Sequence, residues 1–365
     1  MSKLAIAHEW LAVRAGSEKT FEAMAEAYPD ADLYALTWDR DADFDFGGRP
    51  VTTTLLDRWP LLRDRRELAL PLMSPAWKLI DVRDDYDVVL SSSHAFVRSF
   101  PPARSATHFC YCHTPLRYAW VPDIDGRTER SIPGTGLALA ALRKWDKSTA
   151  GNVDYFAANS TTVRDRIREC YGMDSVVIHP PVDTAYYDLP SEPGERSGAL
   201  AVSRFVPYKS VRLAIEACAA AGVPLTVAGK GPEEQSLRDL AVELKAEVSF
   251  EIQPSDERLR ELYRTSSTLV FPANEDFGII PVEAQACGAP VVALDLGGAR
   301  DTVVQGETGI RVARQEVSLF ADAIRQVVDS PPTPETCRAN AEGFSATRFI
   351  DELRGWMTER SPSLA

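Results

Sequence analysis

Glu275 and Glu283 stand eight residues apart, with Gly278 between them, inside the run Phe271-Pro-Ala-Asn-Glu-Asp-Phe-Gly-Ile-Ile-Pro-Val-Glu-Ala284. The apolar run 268–271 reads as a strand and 280–286 as a helix. Glu275 therefore falls in a strand-to-helix loop, and Glu283 about one turn into the helix. Gly278 and its neighbours would present backbone N–H groups at the helix N-terminus, where anions bind. Two carboxylates flanking such a nest can hold a sugar at one end and a ribose at the other, with phosphate between.

Other strand ends carry further candidates. Arg204 and Lys209 lie five residues apart after the run 199–202 and just before a helix. Both can reach one diphosphate; the alternative is a solvated surface pair. Gly229-Lys230-Gly231-Pro232 follows the run 225–228; it allows close backbone approach to a ligand or makes a routine turn, with Pro232 suited to the first helical position. His113 follows the run 107–111 in Cys112-His113-Thr114-Pro115-Leu116-Arg117-Tyr118. With Pro115 in a first helical turn and Thr114 as its cap, His113 is either a structural histidine or a cleft residue. Arg14-Ala15-Gly16-Ser17-Glu18 opens a helix after the first strand, as a phosphate contact or a plain turn.

These loops belong to a regular pattern. Candidate strands lie at 4–7, 33–36, 88–91, 107–111, 155–158 and 176–178, then at 199–202, 225–228, 248–251, 268–271 and 291–293. Helical patterns at 18–28, 137–150, 162–171, 211–220, 233–243, 255–263, 280–286 and 319–328 alternate with them. Continuous apolar strands alternating with helices imply parallel sheets covered on both faces. Two series imply two doubly wound α/β domains, whose ligands sit beyond the carboxyl ends of the strands. The polar stretch 183–197, with Pro190, Pro193 and Gly194, reads as the linker. The stretch 345–360 reads as a helix that caps the second domain or crosses back to the first.

The 365 residues suit two domains at ~150 residues each. The net charge of −13, from 40 Lys+Arg against 53 Asp+Glu, disfavours nucleic acid as a partner. No apolar run reaches the ~20 residues of a membrane span, and the opening Met1–His8 is too short for a signal peptide. Six cysteines show no zinc spacing. Cys110-x-Cys112-His113, the one cluster, reads as buried thiols on a strand rather than a metal site. A reducing, cytoplasmic location is the expectation.

Taken together, these motifs resemble the retaining glycosyltransferases of family 4, which have the GT-B fold. The resemblance rests on Glu275-x7-Glu283 with Ala284-Gln-Ala-Cys-Gly288. It extends through the Gly16 loop, Ser91-Ser-Ser-His94, Asn159-Ser160, Pro180-Pro-Val-Asp183, Ser203-Arg-Phe-Val-Pro-Tyr-Lys209 and Gly297-Gly298, covering nearly the whole chain. His113-Thr-Pro-Leu-Arg-Tyr-Ala-Trp120 looks like a subgroup with O-antigen-type mannosyltransferases. The resemblance implies two Rossmann-like domains facing each other across a cleft, 1–183 for acceptor and 184–345 for nucleotide sugar, with a C-terminal helix and tail at 346–365. It implies that Arg204 and Lys209 neutralise the donor diphosphate and that Gly16 gives an N–H to its distal phosphate. Glu275 and the N–H groups of Phe277, Gly278 and Ile279 would hold the donor sugar. Glu283 would bind the ribose, His113 would lie beside the transferred sugar, and Gly231 would border the nucleotide.

The donor implied is GDP-mannose, with UDP-glucose or UDP-N-acetylglucosamine as the alternative; no metal cofactor is implied, since cations and helix dipoles take its part. The sequence departs from the family at Ala15, in place of a second glycine able to take positive φ. It departs again at Ser210, in place of a basic residue, and at Phe250-Glu-Ile-Gln253, near the base pocket. A nucleotide-sugar epimerase lacks support, because no Gly-x-x-Gly-x-x-Gly follows the first strand. A non-catalytic sugar-nucleotide scaffold is disfavoured by the intact Arg204, Lys209, Glu275 and Glu283. The acceptor would be a glycan, a lipid-linked glycan or a small molecule. The segment 55–83 is rich in Leu and Trp and carries six basic against four acidic residues. It is either a peripheral contact for an anionic membrane surface or a helical flap packed in the core.

Overall fold

The computed structural model describes residues 3–64, 66–83, 85–120, 135–192 and 194–364. Arg65 and Pro193, which fall in two of the segments above, lie outside them. The chain forms two compact units. One takes in the described residues up to Pro181 together with those from Ala346 onward; the other is Val182–Ser345.

The first unit is built on strands β1 (Leu4–Leu11), β2 (Asp32–Trp38), β3 (Val51–Thr53), β4 (Val88–Ser93), β5 (Thr107–Cys112), β6 (Tyr155–Ala158) and β7 (Ser175–Val177). Their order is β3-β2-β1-β4-β5-β6-β7, and every pairing is parallel. The second is built on β8 (Ala199–Arg204), β9 (Leu225–Lys230), β10 (Val248–Ile252), β11 (Thr268–Phe271), β12 (Val291–Leu294) and β13 (Gly309–Val312). Their order is β10-β9-β8-β11-β12-β13, again all parallel. Both orders reverse direction once, between β1 and β4 and between β8 and β11. Those switch points are where doubly wound sheets bind ligands.

Helices cover both faces of each sheet, which is why Ile6, Leu90, Val291 and Val292 are wholly or almost wholly buried. The helix Ala346–Arg360 crosses back into the first unit. Its Phe349 and Trp356 pack edge-on against Tyr111 and Phe109, with ring centroids 5.6 and 5.0 Å apart. The stretch 183–197 is not a free linker. Tyr187 is buried, its carbonyl accepts a 2.6 Å bond from Arg338, and Arg264 pairs with Asp188, so the segment is part of the second unit.

Segment 55–83 folds as a 3-10 turn, Leu55–Arg58, and two helices, Pro60–Asp64 and Arg66–Lys78. The segment is helical and only partly packed in the core. Leu56, Met73, Ala76 and Trp77 are core residues, while Leu55, Trp59, Leu61, Leu72 and Leu79 are 41–69% exposed.

Candidate active site

At the switch point of the second sheet, β8 ends at Arg204 and β11 delivers the loop that holds Glu275. There the Lys209 ammonium and the Glu275 carboxylate form an ion pair, with side chains only 12% and 21% exposed. The Tyr208 ring lies 5.1 Å from Lys209 Nζ and 6.0 Å from the Arg204 guanidinium, and Arg204 donates to the Tyr208 hydroxyl. Two cations thus lie near one aromatic ring, and one of them is paired with a carboxylate. A small recess lined by Ser203, Lys209, Val211, Phe271 and Pro272 lies beside them.

The helix Ile279–Ala286 starts at Gly278, whose φ of +89° is open to glycine and strained for other residues. Its first N–H groups have no partner within the helix. Glu283, the fifth residue of this helix, is almost buried. Its carboxylate accepts a 3.1 Å hydrogen bond from Tyr263. Burial first, and then the Glu283 charge, push the Tyr263 phenol well above its ordinary range, so Tyr263 stays a donor.

Three glycines shape these loops by close backbone approach. A Cβ on Gly297 would stand 2.0 Å from the Glu275 carbonyl, and one on Gly298 1.9 Å from that of Phe277. The Gly298 N–H also donates to the Glu275 carbonyl at 2.8 Å. The loop from Glu275 to Phe277 therefore rests directly on Gly297-Gly298. Similarly, a Cβ on Gly231 would meet the backbone of Phe205 at 2.4 Å. Gly231 holds the β9 loop against the loop that follows Arg204. The signal in the sequence was the Gly-Gly dipeptide after β12, to which sequence reasoning gave no role.

Ser210, at φ +54°, precedes the helix Val211–Ala221. Its hydroxyl accepts from Gln315 at 2.9 Å, and the same Gln315 amide donates to the Pro272 carbonyl at 2.8 Å. At the end of β10, Gln253 takes φ +51° and accepts from Lys230 at 2.9 Å, while Glu251 pairs with Arg258.

Gly16 and His113 belong to the first unit. Gly16 opens the helix Gly16–Ala27, and Ala15 before it is extended at φ −104°, so this turn makes no demand for a second glycine. His113 follows β5, and its Nε2 lies 2.9 Å from the Ser92 hydroxyl. Thr114 caps no helix: the helical turn starts at Arg117, and the Thr114 hydroxyl accepts from Arg166 at 2.9 Å. Pro232 likewise stands before the helix Glu234–Glu243 and its N-cap Glu233.

Strand β1 also runs on past Ala7 to Leu11. Glu9 can sit within it because its buried carboxylate accepts backbone N–H groups from Ala95, Phe96 and Val97 at 2.7–3.1 Å. The six cysteines are buried and free. Among the described residues, no three His, Cys, Asp or Glu side chains are grouped to hold a metal.

Comparison with known proteins bears on the family and the fold. Residues 15–186 match the model of Glycosyltransferase Family 4, and residues 190–344 that of Glycosyl transferases group 1. The chain belongs to the family-4 glycosyltransferases. Curated relatives include the D-inositol 3-phosphate glycosyltransferase of Rhodococcus erythropolis, 30% identical over 249 residues, or 59% of this chain and 55% of the relative. The chain thus spans about half the length of the curated relatives it matches. Solved structures share the GT-B fold. Sucrose-phosphate synthase from Thermosynechococcus elongatus matches over 100% of both chains at 18% identity, with a TM-score of 0.75. HepE of Anabaena, in complex with UDP, covers 97% of this chain and 100% of its own at 18% identity, with a TM-score of 0.70.

Proposed function

We propose that this family-4 protein is a retaining hexosyltransferase that moves a hexosyl group from a nucleoside-diphosphate sugar to an acceptor hydroxyl. The observation that carries the reading is the Lys209–Glu275 pair at the β8/β11 switch point. A phosphate-binding cation and a hydroxyl-binding carboxylate are held in contact where a doubly wound sheet takes its ligand. Breaking the bond between sugar and diphosphate builds negative charge on the leaving oxygens. Arg204, Lys209 and the N–H groups of Phe277, Gly278 and Ile279 stabilise that charge as it forms, without a metal ion. Once the diphosphate engages Lys209, Glu275 is released to accept from sugar hydroxyls. Glu283 accepts from the ribose, Gly16 donates to the distal phosphate, and His113 touches the transferred sugar. The acceptor hydroxyl attacks from the face the diphosphate leaves, with the departing phosphate as base.

GDP-mannose is the first donor, on the likeness of residues 113–120 to mannosyltransferases. A UDP-hexose is the second reading, favoured by the UDP bound in the HepE structure. The acceptor is a glycan, a lipid-linked glycan or a small molecule such as the inositol phosphate in the relatives' name. The exposed Leu55, Trp59, Leu61, Leu72 and Leu79, with Arg58, Lys78 and Arg83 exposed nearby, support cytoplasmic action at an anionic membrane surface. Co-sedimentation with anionic but not neutral vesicles tests that contact.

Thermal shift and transfer assays with GDP-mannose, UDP-glucose and UDP-N-acetylglucosamine test the activity. One donor should stabilise the protein and be consumed with an acceptor. Stabilisation by none of them would overturn the reading.

A further inference from the structure

The first sheet has its own switch point, between β1 and β4, and a polar chain is built there. His8 and Ser92 are register partners on adjacent strands, so their side chains share one face. The Ser92 hydroxyl lies 2.9 Å from His8 Nδ1 and 2.9 Å from His113 Nε2. His8 and Ser92 are wholly buried. The far nitrogen of His8, Nε2, is buried with no hydrogen-bond partner. The His8 ring is stacked on Phe21 at 5.0 Å, and Tyr111 lies edge-on to His113 at 5.1 Å.

We propose that His8 and Ser92 are positioning residues that hold His113 as its Nδ1–H tautomer, with Nε2 unprotonated and facing Ser92. The argument is one of proton counting. A hydroxyl has a single proton, so Ser92 donates to one ring and accepts from the other. The two histidines cannot choose their tautomers independently. A buried N–H without an acceptor is rarer in proteins than a buried acceptor without a donor. The unpartnered Nε2 of His8 is therefore the bare nitrogen, and the His8 proton is on Nδ1. His8 Nδ1–H then donates to Ser92, and Ser92 donates to His113 Nε2. The remaining proton of His113 is left on Nδ1. Burial first, and the nearby His113 second, hold His8 down at about 3, so the ring is neutral and the direction of the chain is kept.

The consequence rests on the reading that His113 touches the transferred sugar. Ser92 occupies Nε2, so whatever His113 gives that sugar passes through Nδ1–H. A hydrogen bond to the ring's other nitrogen that selects a tautomer is a recurrent device at histidine sites.

Long-range proton–nitrogen correlation spectra of the 15N-labelled full chain test it directly. In the wild type, Nδ1 of both His8 and His113 should give the signal of a protonated ring nitrogen, and Nε2 of both that of an unprotonated one. A protonated Nε2 on His113 overturns the inference. His8→Leu removes the first donor and should turn His113 into a mixture of tautomers; an unchanged spectrum would remove His8 from the account.

Ser92→Ala should lower kcat with GDP-mannose or UDP-glucose by roughly tenfold to a hundredfold, with KM little changed and activity regained in Ser92→Thr. Equal loss in Ser92→Ala and Ser92→Thr would point to packing alone and contradict the positioning role. His113→Ala separates the two levels. Full activity in that variant sinks the sugar contact, while the tautomer is still decided by the spectra of the wild type.

Discussion

Lys209→Met removes one charge from the Lys209–Glu275 pair and keeps the length of the side chain. At contact distance of about 4 Å and an effective dielectric of about 20, one charge pair is worth about 4 kcal/mol. The Lys209 side chain is 12% exposed, so water only partly takes over its role. The loss in the transition state should be ~3 kcal/mol or more, or at least about a hundredfold in kcat/KM. The effect on folding should be small by comparison. A partly exposed ion pair contributes about 1 kcal/mol or less, a shift of about 2–4 °C in Tm for a domain of this size.

Lys209→Met also leaves the Glu275 charge facing the proposed diphosphate position. The double variant Lys209→Met/Glu275→Gln should therefore bind the free nucleoside diphosphate more tightly than Lys209→Met alone. Release of nucleoside diphosphate in a coupled assay gives the kinetics, and calorimetry gives the affinity. Near-normal kcat/KM in Lys209→Met would refute the reasoning. A collapse of Tm would move the role of Lys209 from catalysis to folding.

Glu283→Ala should weaken binding of the nucleoside diphosphate alone, because Glu283 is assigned to the ribose. Glu275→Ala should spare that affinity and damage transfer; equal loss by calorimetry would contradict the division. Activity should survive EDTA under the proposal that side-chain cations and backbone N–H groups hold the diphosphate, and an absolute need for Mg²⁺ or Mn²⁺ would refute it. Burial holds His8 down to about 3 and His108 to about 4, against 6.5 for the free side chain. The unfolded rings take up protons first, so stability is fully present above about pH 6.5 and falls as the pH drops toward 4. Denaturant unfolding across that range measures the slope, which should flatten in His108→Gln.

Much of this was legible because apolar runs alternate so regularly. The strands of both sheets' centres, the loop from Glu275 to Glu283 and the placement of Arg204 and Lys209 at a strand end all follow from pattern and spacing. The edge strands β3 and β13 did not. Val51-Thr52-Thr53 is short, and Gly309-Ile310-Arg311-Val312 contains a glycine and a charge, so neither carries the signal of a buried strand. The polar end of β1 was hidden for the opposite reason. Glu9 reads as a loop residue until the N–H groups of Ala95, Phe96 and Val97 are brought to its carboxylate. Ser92 showed no chemistry in the sequence, because its importance comes only from the register that sets it beside His8. Gly231 was read either as a close approach to a ligand or as a routine turn; the sequence did not show that its missing side chain admits the close backbone of Phe205.

The central claim is transfer with retention. The most direct test is the anomeric configuration of the product, read from its anomeric proton and the one-bond C1–H1 coupling by NMR after transfer from an α-linked nucleotide sugar. Phosphate clamps and a sugar-binding carboxylate, with the departing phosphate as base, predict an α-configured product. A β-configured product would require a base on the opposite face of the sugar and would contradict the account.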